Sequence, residues 1–419
     1  MHQVDIIISG GGMVGLSLGL ALAQGGFRTL VADVAPMTAQ LDPKFDGRVS
    51  ALAYASIRMY RALGVWEALE KDAQPIREIL VTDGAPGRAA SPFSLHFDAQ
   101  EVGASQLGAI VENRHIRAAL QGKALSEKNL SIIAPTAVKS VTTEAGGVTA
   151  LLGNGERVAA RLAIAADGRV SPLRDAAGIK TIGWSYPQIG IVATVEHERP
   201  HNGVAYEHFL PAGPFAILPM ISASSSEAGG HQKANRSSLV WTEEEAKAPA
   251  LLALDEDRFN EELARRFGAH LGAVKATGPR WSYPLSFHIA RDFVKPRFAL
   301  AGDCAHGIHP IAGQGLNLGL KDAAALAEVL LDAARLGQDI GALDVLKRYE
   351  RWRRFDSVTL AASTDALNRL FSNDIEPLRV LRDIGMGIVD SIGPARRFFM
   401  RHAGGDVGKL PRLMKGEAA

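Results

Sequence analysis

Gly10, Gly12 and Gly15 form a GxGxxG pattern between an apolar run and an apolar helical pattern near the start of the chain. The first glycine allows a tight turn, the second lets the backbone approach a pyrophosphate, and the third lets a helix pack closely on a strand. The amides at the start of that helix would face the phosphate charge. Asp33 lies in the next apolar run, where a carboxylate can accept hydrogen bonds from a ribose. These positions predict a dinucleotide site.

A second segment, Asp167-Gly168 followed by Arg169, Ser171 and Arg174, comes directly after an apolar run. An acidic residue at the carboxyl end of a strand faces the crevice in which α/β proteins bind ligands. The same sequence also fits a helix start, in which Asp167 or Ser171 caps free backbone amides. Local sequence alone leaves both interpretations open.

The third segment runs from Gly302 and Asp303 through His306 and Pro310 to a glycine-rich helix start. That helix start contains Gly313, Gly315, Leu316 and Asn317. Glycines directly before a helix free backbone amides to point at an anion, such as the negative edge of a flavin ring. Asp303 could accept hydrogen bonds from a ribityl chain. This segment therefore extends the dinucleotide prediction toward a flavin.

These motifs need strands and helices that bring them to one edge of a sheet. The apolar runs predict strands over Val4–Ser9, Thr29–Val34, Arg161–Ala166 and Phe298–Ala301, and helices over Val14–Gln24 and Leu318–Leu331. The uncharged run Ile6–Phe27 is not expected to be a signal peptide or a membrane span, because no basic residue precedes it and glycines interrupt it. We therefore expect a soluble or peripheral α/β protein with a Rossmann-like domain.

Length and composition exclude several classes of protein. The 419 residues, 47% of them hydrophobic, are enough for two domains with substantial cores. The formal net charge of +1 gives no electrostatic footprint for nucleic acid, so no such partner is expected. Cys304 is the only cysteine, which fits a reducing compartment. His306 and His309 near it are spaced for a metal but lack a typical ligand set, so no metal site is expected.

The segment between the second and third motifs alternates strand-like runs, which predicts an antiparallel sheet. The runs are Ile189–Val195, Val204–Phe209, Phe215–Met220 and Ser237–Trp241. Candidate substrate-pocket residues are Tyr206, His208, Phe215, Leu218 and Pro219, although ordinary sheet packing explains them equally well. Ser222–Asn235 predicts a hairpin loop, and Glu243–Phe267 predicts a helix that packs through one apolar stripe.

The order of these parts resembles a known family. A GxGxxG start, a central DGxxSxxR stretch and a late GDxxHxxxPxxGxGxN stretch are together similar to the single-component flavin monooxygenases of the aromatic hydroxylase type, which have a para-hydroxybenzoate hydroxylase fold. Phe45–Trp66, Val111–Leu120 and Ala205–Met220 further resemble the ubiquinone-biosynthesis hydroxylases. The resemblance covers most of the chain.

The resemblance implies a role for each motif. Gly10, Gly12, Gly15 and Asp33 would hold the ADP half of FAD, whereas Gly302, Asp303, Gly313, Gly315, Leu316 and Asn317 would hold its ribityl chain and ring. Arg48 matches an arginine near the flavin phosphates or the substrate entrance, although it also fits a solvated loop charge, and Asn113 or Arg114 matches a flavin-contacting position. Asp167 and Arg174 match a stretch thought to serve both FAD and NAD(P)H. Pro310 and His306 would be catalytic, with Pro310 beside the ring where oxygen reacts.

The resemblance also implies three regions. Residues 1–74, 100–181 and 285–350 would form the Rossmann-like FAD-binding domain, and residues 75–99 and 182–284 an inserted mixed or antiparallel substrate-binding sheet. Residues 351–419 would form a C-terminal helical region, in which apolar residues alternate with basic ones from Arg379 to Arg412. Such a surface could lie on anionic lipid, or belong to a docked pair of helices with solvated arginines. The expected location is cytoplasmic, with peripheral contact at the inner face of the membrane as an addition.

The expected reaction is hydroxylation of the aromatic ring of a prenylated phenol or quinol in ubiquinone biosynthesis. It would use NAD(P)H, dioxygen and a flavin hydroperoxide, since the cofactor supplies chemistry that side chains cannot. The substrate would be lipophilic, and a ubiquinone-biosynthesis complex is a further expected partner. Three alternatives stay open: a flavin-dependent reductase of isoprenoid double bonds, a hydroxylase of a small non-prenylated phenol, and a non-catalytic member of a biosynthetic complex.

Overall fold

The computed structural model describes residues 2–87, 94–223, 234–372, 404–405 and 408–419. Its strands are β1 (His2–Gln3), β2 (Ile6–Ser9), β3 (Thr29–Ala32), β4 (Val49–Ala53), β5 (Gln74–Ile76), β6 (Glu78–Asp83), β7 (Ser94–Asp98), β8 (Gly108–Glu112), β9 (Leu130–Ile133), β10 (Val138–Thr143), β11 (Val148–Leu152), β12 (Arg157–Ala160), β13 (Leu162–Ala165), β14 (Thr181–His197), β15 (Val204–Leu210), β16 (Gly213–Ala223), β17 (Ala234–Glu244), β18 (Val274–Ala290), β19 (Val294–Lys295), β20 (Phe298–Leu300) and β21 (His306–Gly307). Its helices are α1 (Met13–Gln24), α2 (Tyr54–Ala62), α3 (Trp66–Leu69), α4 (Asn113–Leu125), α5 (Pro172–Ala176), α6 (Ala248–Leu252), α7 (Glu256–Phe267), α8 (Gln314–Arg335), α9 (Leu343–Phe371) and α10 (Arg412–Lys415).

A six-stranded sheet in the order β19-β20-β13-β2-β3-β9 forms the first part of the molecule, in which nucleotide binding is predicted. The five strands from β20 to β9 are parallel, and β19 is antiparallel at the edge. Every residue of β2, β3 and β13 is buried, as in parallel strands that are covered on both faces. The predicted strands and the helix after the first motif are therefore confirmed. Two smaller sheets, β1-β12-β11-β10 and β4-β8-β5, flank this core.

An eight-stranded sheet in the order β21-β18-β14-β17-β16-β15-β6-β7 forms the second part. Neighbouring strands are antiparallel except β15 and β6, which are parallel. Helix α7 packs on one face, where Phe259 and Phe267 join a core with Phe215 and Trp241. We call this the helix-covered face. The opposite face, which carries Phe209 against Ile311 of the third motif, is the site-facing face.

The predicted helix over Glu243–Phe267 is wrong in its first half. Strand β17 runs to Glu244, the short helix α6 contains Pro249, and α7 begins only at Glu256. The Asp255 side chain caps α7 by accepting a hydrogen bond from the Arg258 amide, so the chain starts a new helix there. The predicted loop Ser222–Asn235 lies mostly outside the described residues, and its two ends belong to β16 and β17.

The C-terminal part of the chain returns to the nucleotide-binding sheet. The Tyr349 hydroxyl of α9 donates a hydrogen bond to the Leu300 carbonyl oxygen over 2.8 Å, and Phe371 at the end of α9 stacks on Phe209. Leu413 and Met414 of α10 are buried in the main core. The predicted basic surface lies mainly on residues 373–403, outside the described residues. In the part of the chain that the structure describes, no helix is both long and apolar enough to cross a membrane.

Candidate functional site

The first glycine turn fits closely against the end of β13. A Cβ at Gly15 would overlap the Gly10 carbonyl oxygen, and a Cβ at Gly10 would overlap the Ala166 carbonyl oxygen. Gly10 also has a φ of 108°, which residues with a side chain rarely adopt. A Cβ at Gly12 would meet nothing within 4 Å, so the chain itself does not require glycine there. Open space in front of Gly12, at the start of α1, suits the close approach of a phosphate group.

Asp33 closes this turn from the end of β3. Its Oδ2 accepts a hydrogen bond from the Gly11 amide over 2.6 Å, and its Oδ1 accepts from the Ala35 amide over 2.8 Å and from Gln40 Nε2 over 3.2 Å. A carboxylate has about four lone-pair positions, so it keeps room for a ribose hydroxyl. Asp33 is therefore placed both to shape the turn and to contact a nucleotide.

The third motif meets the first at the amino end of α1. Cβ atoms at Gly302 and Gly319 would press on the Val14 side chain, at 3.2 and 2.7 Å respectively. The Asp303 side chain is exposed beside this contact, whereas Gly302 and Cys304 on either side of it are buried. Asp303 thus presents an exposed carboxylate at the edge where the parallel strands end, the position that the sequence predicted for it.

The buried carboxylate of Asp322 in α8 fixes the third motif through hydrogen bonds. Its Oδ2 accepts hydrogen bonds from the Gly302 amide over 3.0 Å and from His306 Nε2 over 2.6 Å. Its Oδ1 accepts from Arg353 Nε over 2.8 Å. Burial favours the neutral acid, but the charges and hydrogen bonds of His306 and Arg353 outweigh it and lower the pKa of Asp322. His306, predicted to be catalytic, is itself buried in this network, so the structure gives it a positioning role.

Helix α8 begins directly behind this motif, with Gly313 in a left-handed conformation at its start. Asn317 is fully engaged there. Its Oδ1 accepts from the Ala53 amide and the Ser56 hydroxyl, and its Nδ2 donates to the carbonyl oxygens of Ala51 and Gly313. Asn317 therefore fixes the helix start against β4 and α2, while the backbone amides of Gly315 and Leu316 supply the positive end of the helix.

Arg48 extends into the site from the loop before β4. It forms a paired contact with Asp46, from Nε to Oδ1 over 2.8 Å and from Nη2 to Oδ2 over 3.0 Å. Its guanidinium lies 5.8 Å from the centre of the Tyr283 ring, and the hydrogen bonds with Asp46, together with the charges of Asp46 and Asp303, raise its pKa. Arg48 is exposed to solvent, as the interpretation as a solvated loop charge expects, yet Asp46 holds it between the third motif and the site-facing face.

Asp46 ties this loop to α4. It also accepts hydrogen bonds from Asn113 Nδ2 over 2.9 Å and from Arg117 Nη2 over 2.7 Å. Burial raises the pKa of Asp46, but the hydrogen bonds from Arg48, Arg117 and Asn113 outweigh it and hold that pKa far below its usual range. Asn113 is buried and acts through Asp46, whereas Arg114 is half-exposed and pairs with Glu112.

The structure confirms the helix start that the second motif allowed, and the ligand-facing interpretation of Asp167 stays a prediction. Ser171 caps α5 by accepting a hydrogen bond from the Arg174 amide. The Arg174 side chain is buried and donates to the carbonyl oxygens of Arg169 and Cys304, so it joins the second motif to the third. Burial raises the pKa of Asp167, and its buried Oδ1 has no hydrogen-bond partner among the described residues. An unpaired buried acceptor beside Gly10 is a free position for a ligand donor.

The structure divides the predicted pocket residues between the two faces of the large sheet. Tyr206, His208 and Phe215 lie on the helix-covered face: Tyr206 and Phe215 pack in its core, and His208 packs beside His270 and hydrogen-bonds to Thr82. Strand alternation places Pro219 with them. Leu218 alone is on the site-facing face, with Met220 and Ala205. Side chains along a strand alternate between the two faces of a sheet. The site-facing face is therefore lined by the sequence neighbours of Tyr206, His208, Phe215 and Pro219.

His309 is a further buried residue of the third motif, next to Pro310. Its ring packs edge-on against Tyr186, with the ring centres 5.2 Å apart, and no described residue hydrogen-bonds to either of its ring nitrogens. Burial lowers its pKa to about 4, so the ring is neutral at physiological pH. Pro310 itself is only partly buried at the start of the turn before α8. No cluster of ligands that could hold a metal ion occurs in the described ranges.

The arrangement fits FAD. Gly10, Gly12 and Asp33 would hold the ADP half, because an open glycine turn and a carboxylate suit a pyrophosphate and a ribose. Asp303 and the free Asp167 Oδ1 would accept hydrogen bonds from hydroxyl groups of the ribityl chain. The amides at the start of α8 would face the negative edge of the ring.

Sequence reasoning missed Asp46, Asp322 and Arg353, although all three hold predicted residues in place. Asp46 meets Asn113 and Arg117 across sequence separations of 67 and 71 residues, and Arg353 meets Asp322 across 31. No local pattern marks such contacts. An acidic residue within the apolar pattern of α8 is the one signal that could have drawn attention to Asp322.

Comparisons with known proteins identify the family of the chain. A family model described as an FAD binding domain matches residues 3–357. The chain is 47% identical to the ubiquinone hydroxylase UbiL of Rhodospirillum rubrum over 98% of this chain and 92% of that protein. It is 33% identical to the 3-demethoxyubiquinol 3-hydroxylase of Escherichia coli over 96% of this chain and 98% of that protein. The crystal structure of the p-nitrophenol 4-monooxygenase PnpA from Pseudomonas putida has the same fold, with a TM-score of 0.77, 18% identity, and coverage of 98% of this chain and 100% of that one. The chain belongs to the family of FAD-dependent monooxygenases that includes the ubiquinone hydroxylases.

Proposed function

We propose that this monooxygenase hydroxylates the aromatic ring of a prenylated phenol or quinol in ubiquinone biosynthesis, using NAD(P)H and dioxygen. The observation that carries the proposal is the meeting of all three motifs at one sheet edge, opposite the site-facing face. The 47% identity to a ubiquinone hydroxylase over nearly the whole chain supports the choice of substrate class.

Bound FAD would supply the oxygen-transfer chemistry, and the residues of the chain would shape its surroundings. Arg48 and Asp46 fix the loop that faces Tyr283, and Asp322 fixes the loop that carries Asp303 and Pro310. Phe209, Ile311 and Phe371 pack into an apolar wall between the third motif and the large sheet. Such a wall keeps water from the reacting ring and suits a lipophilic substrate.

Mass spectrometry of a prenylated phenol after incubation with FAD-loaded protein, NAD(P)H and air tests the proposal. We expect a gain of one oxygen atom that is absent without air. Reduction of an isoprenoid double bond without oxygen would instead establish the reductase. Hydroxylation of a small phenol but not of its prenylated analogue would move the substrate class to non-prenylated phenols. Consumption of NAD(P)H with peroxide release and no product from either phenol would contradict the proposed substrate.

We further propose peripheral contact with anionic membranes through the basic residues between Arg379 and Arg412, since a prenylated substrate resides in the bilayer. Charge reversal of Arg396 and Arg397 should weaken co-sedimentation with anionic liposomes but leave flavin content unchanged. Deleting the whole C-terminus is a poorer test, because Leu413 and Met414 belong to the main core. Unchanged co-sedimentation of the charge-reversed protein would remove this proposal.

A further inference from the structure

Glu207 is an acidic residue on the site-facing face of the large sheet. It lies within β15, opposite Ala216 of β16 and Val81 of β6. Side chains on alternate strand positions share a face, so Glu207 points to the same side as Phe209, about 7 Å further along the strand. Phe209 packs with Ile311, the residue after Pro310. Glu207 therefore points toward the flavin-binding loops and away from α7.

The surroundings of this carboxyl group are apolar. Ala205 and Leu218 flank it on one side and Val81 and Phe209 on the other, all four of them members of, or packed against, hydrophobic clusters. Within the described part of the chain, no hydrogen bond or ion pair reaches Glu207. A carboxyl group in such a place needs a partner, because burying it without one costs free energy.

The side chain of Glu207 is nevertheless only partly buried. So many protein atoms surround it that burial raises its pKa to about 7. The carboxyl group of Glu207 therefore stays within reach of a ligand on the side of the large sheet that meets the third motif.

Glu207 begins a row of side chains on the site-facing face. From Glu207 the strand register runs across Ala216, Val240 and Val192 to Trp281. Ala216 and Val192 are buried whereas Glu207 is partly exposed, so a ligand reaches this row at its Glu207 end. A Cβ at Gly47 would overlap the Trp281 ring, so the loop that carries Arg48 covers the far end of the row.

We propose that Glu207 positions the substrate by accepting a hydrogen bond from the hydroxyl group of its aromatic ring. This inference rests on the proposed function, because it assumes that a phenolic substrate binds at the site-facing face of the large sheet. A hydrogen bond from a hydroxyl group to a carboxylate is short and strong when water is excluded. The same carboxylate finds no donor on a methyl ether, so Glu207 gives the site its preference for a free hydroxyl group.

The test measures binding without turnover. Ortho-geranylphenol and its methyl ether, ortho-geranylanisole, are titrated into FAD-loaded protein at pH 8.5, where Glu207 is ionised, in the absence of NAD(P)H, and the change in flavin fluorescence gives each Kd. The proteins are the wild type, Glu207→Gln and Glu207→Leu, with Tyr206→Phe as a matched control. Tyr206 is the neighbouring residue and lies on the helix-covered face, so its hydroxyl group does not reach the face on which Glu207 lies.

We expect the wild type and Tyr206→Phe to bind the phenol at least about tenfold more tightly than the ether, since one charge-assisted hydrogen bond has that effect. Glu207→Leu should lose the preference, and Glu207→Gln, which keeps an acceptor oxygen, should keep part of it. A full preference in Glu207→Leu with normal flavin content would overturn this inference alone. A wild type that binds neither probe would overturn the proposed function and this inference with it. Normal hydroxylation by a wild type without a preference for the phenol would contradict only the role of Glu207.

Discussion

Replacing Asp322 by asparagine tests whether the buried network beneath the third motif holds the flavin site together. Asp322 is fully buried and accepts hydrogen bonds from Gly302, His306 and Arg353. Asparagine keeps the shape of the side chain but removes the charge that compensates the Arg353 guanidinium, which is itself fully buried. Breaking a buried ion pair by changing one partner costs about 3–5 kcal/mol.

The expected cost lies at the lower end of that range, because Arg353 keeps a second partner. Its Nη1 donates to Asp356 Oδ2 over 2.8 Å, and Asp356 reaches solvent. We therefore expect Asp322→Asn to lower the free energy of unfolding by about 3 kcal/mol. Because the Gly302 amide also loses its charged acceptor, Asp303 should be held less firmly and FAD should dissociate more readily.

Urea unfolding monitored by circular dichroism gives the change in stability. The ratio of flavin to protein absorbance after gel filtration gives the fraction of protein that retains FAD. Asp332→Asn is the matched control on the same helix. Its carboxylate is 44% exposed and pairs with Arg335 and Arg412, so the expected change is within about 1 kcal/mol with normal FAD content. If Asp322→Asn were as stable and as fully loaded as this control, the network would not support the site.

Three further predictions concern the cofactor and pH. Gly15→Ala should give protein without FAD, because its Cβ would overlap the Gly10 carbonyl oxygen, whereas Gly122→Ala, with nothing within 4 Å, should bind FAD normally; flavin absorbance after purification distinguishes them. Asp303→Asn should weaken FAD binding at unchanged Tm, and equal Kd values in fluorescence titrations would contradict its role. Burial lowers the pKa of His309 to about 4, so the unfolded chain binds more protons between that pH and about 6.5 and stability falls as pH falls. Between pH 7.5 and pH 5, the free energy of unfolding measured in urea should fall by about 2 kcal/mol less for His309→Leu than for the wild type. An equal fall in both proteins would be evidence against a buried neutral imidazole.

The sequence predicts the nucleotide-binding sheet well, because its signals are local. Gly10 and Gly15 mark a turn whose backbone admits no side chain, and the fully buried strands β2 and β13 read as unbroken apolar runs. Asp303 follows such a run and does stand free at the strand end. In these places the chemistry and the local geometry depend on the same few neighbouring residues.

The large sheet is harder to predict in detail, because a strand pattern identifies two faces without saying which one meets the cofactor. Tyr206 and His208 look more suited to a pocket than Glu207 or Phe209, yet α7 covers their face. The outcome depends on which face α7 and the third motif cover, and both are distant in sequence. The surroundings of His306 were hidden for a related reason, since it hydrogen-bonds to Asp322 in the following helix.

The position of β20 has a consequence for the order in which the chain can fold. This strand, Phe298–Leu300, pairs with β13, which in turn pairs with β2 at the start of the chain. A chain growing from its amino end can therefore form β2, β3, β9 and β13 early, but β13 keeps an open edge until residue 300 has been synthesised. Open parallel edges attract other chains. A fragment that ends after β18 should therefore aggregate, although it contains the entire first glycine turn and nearly all of the large sheet.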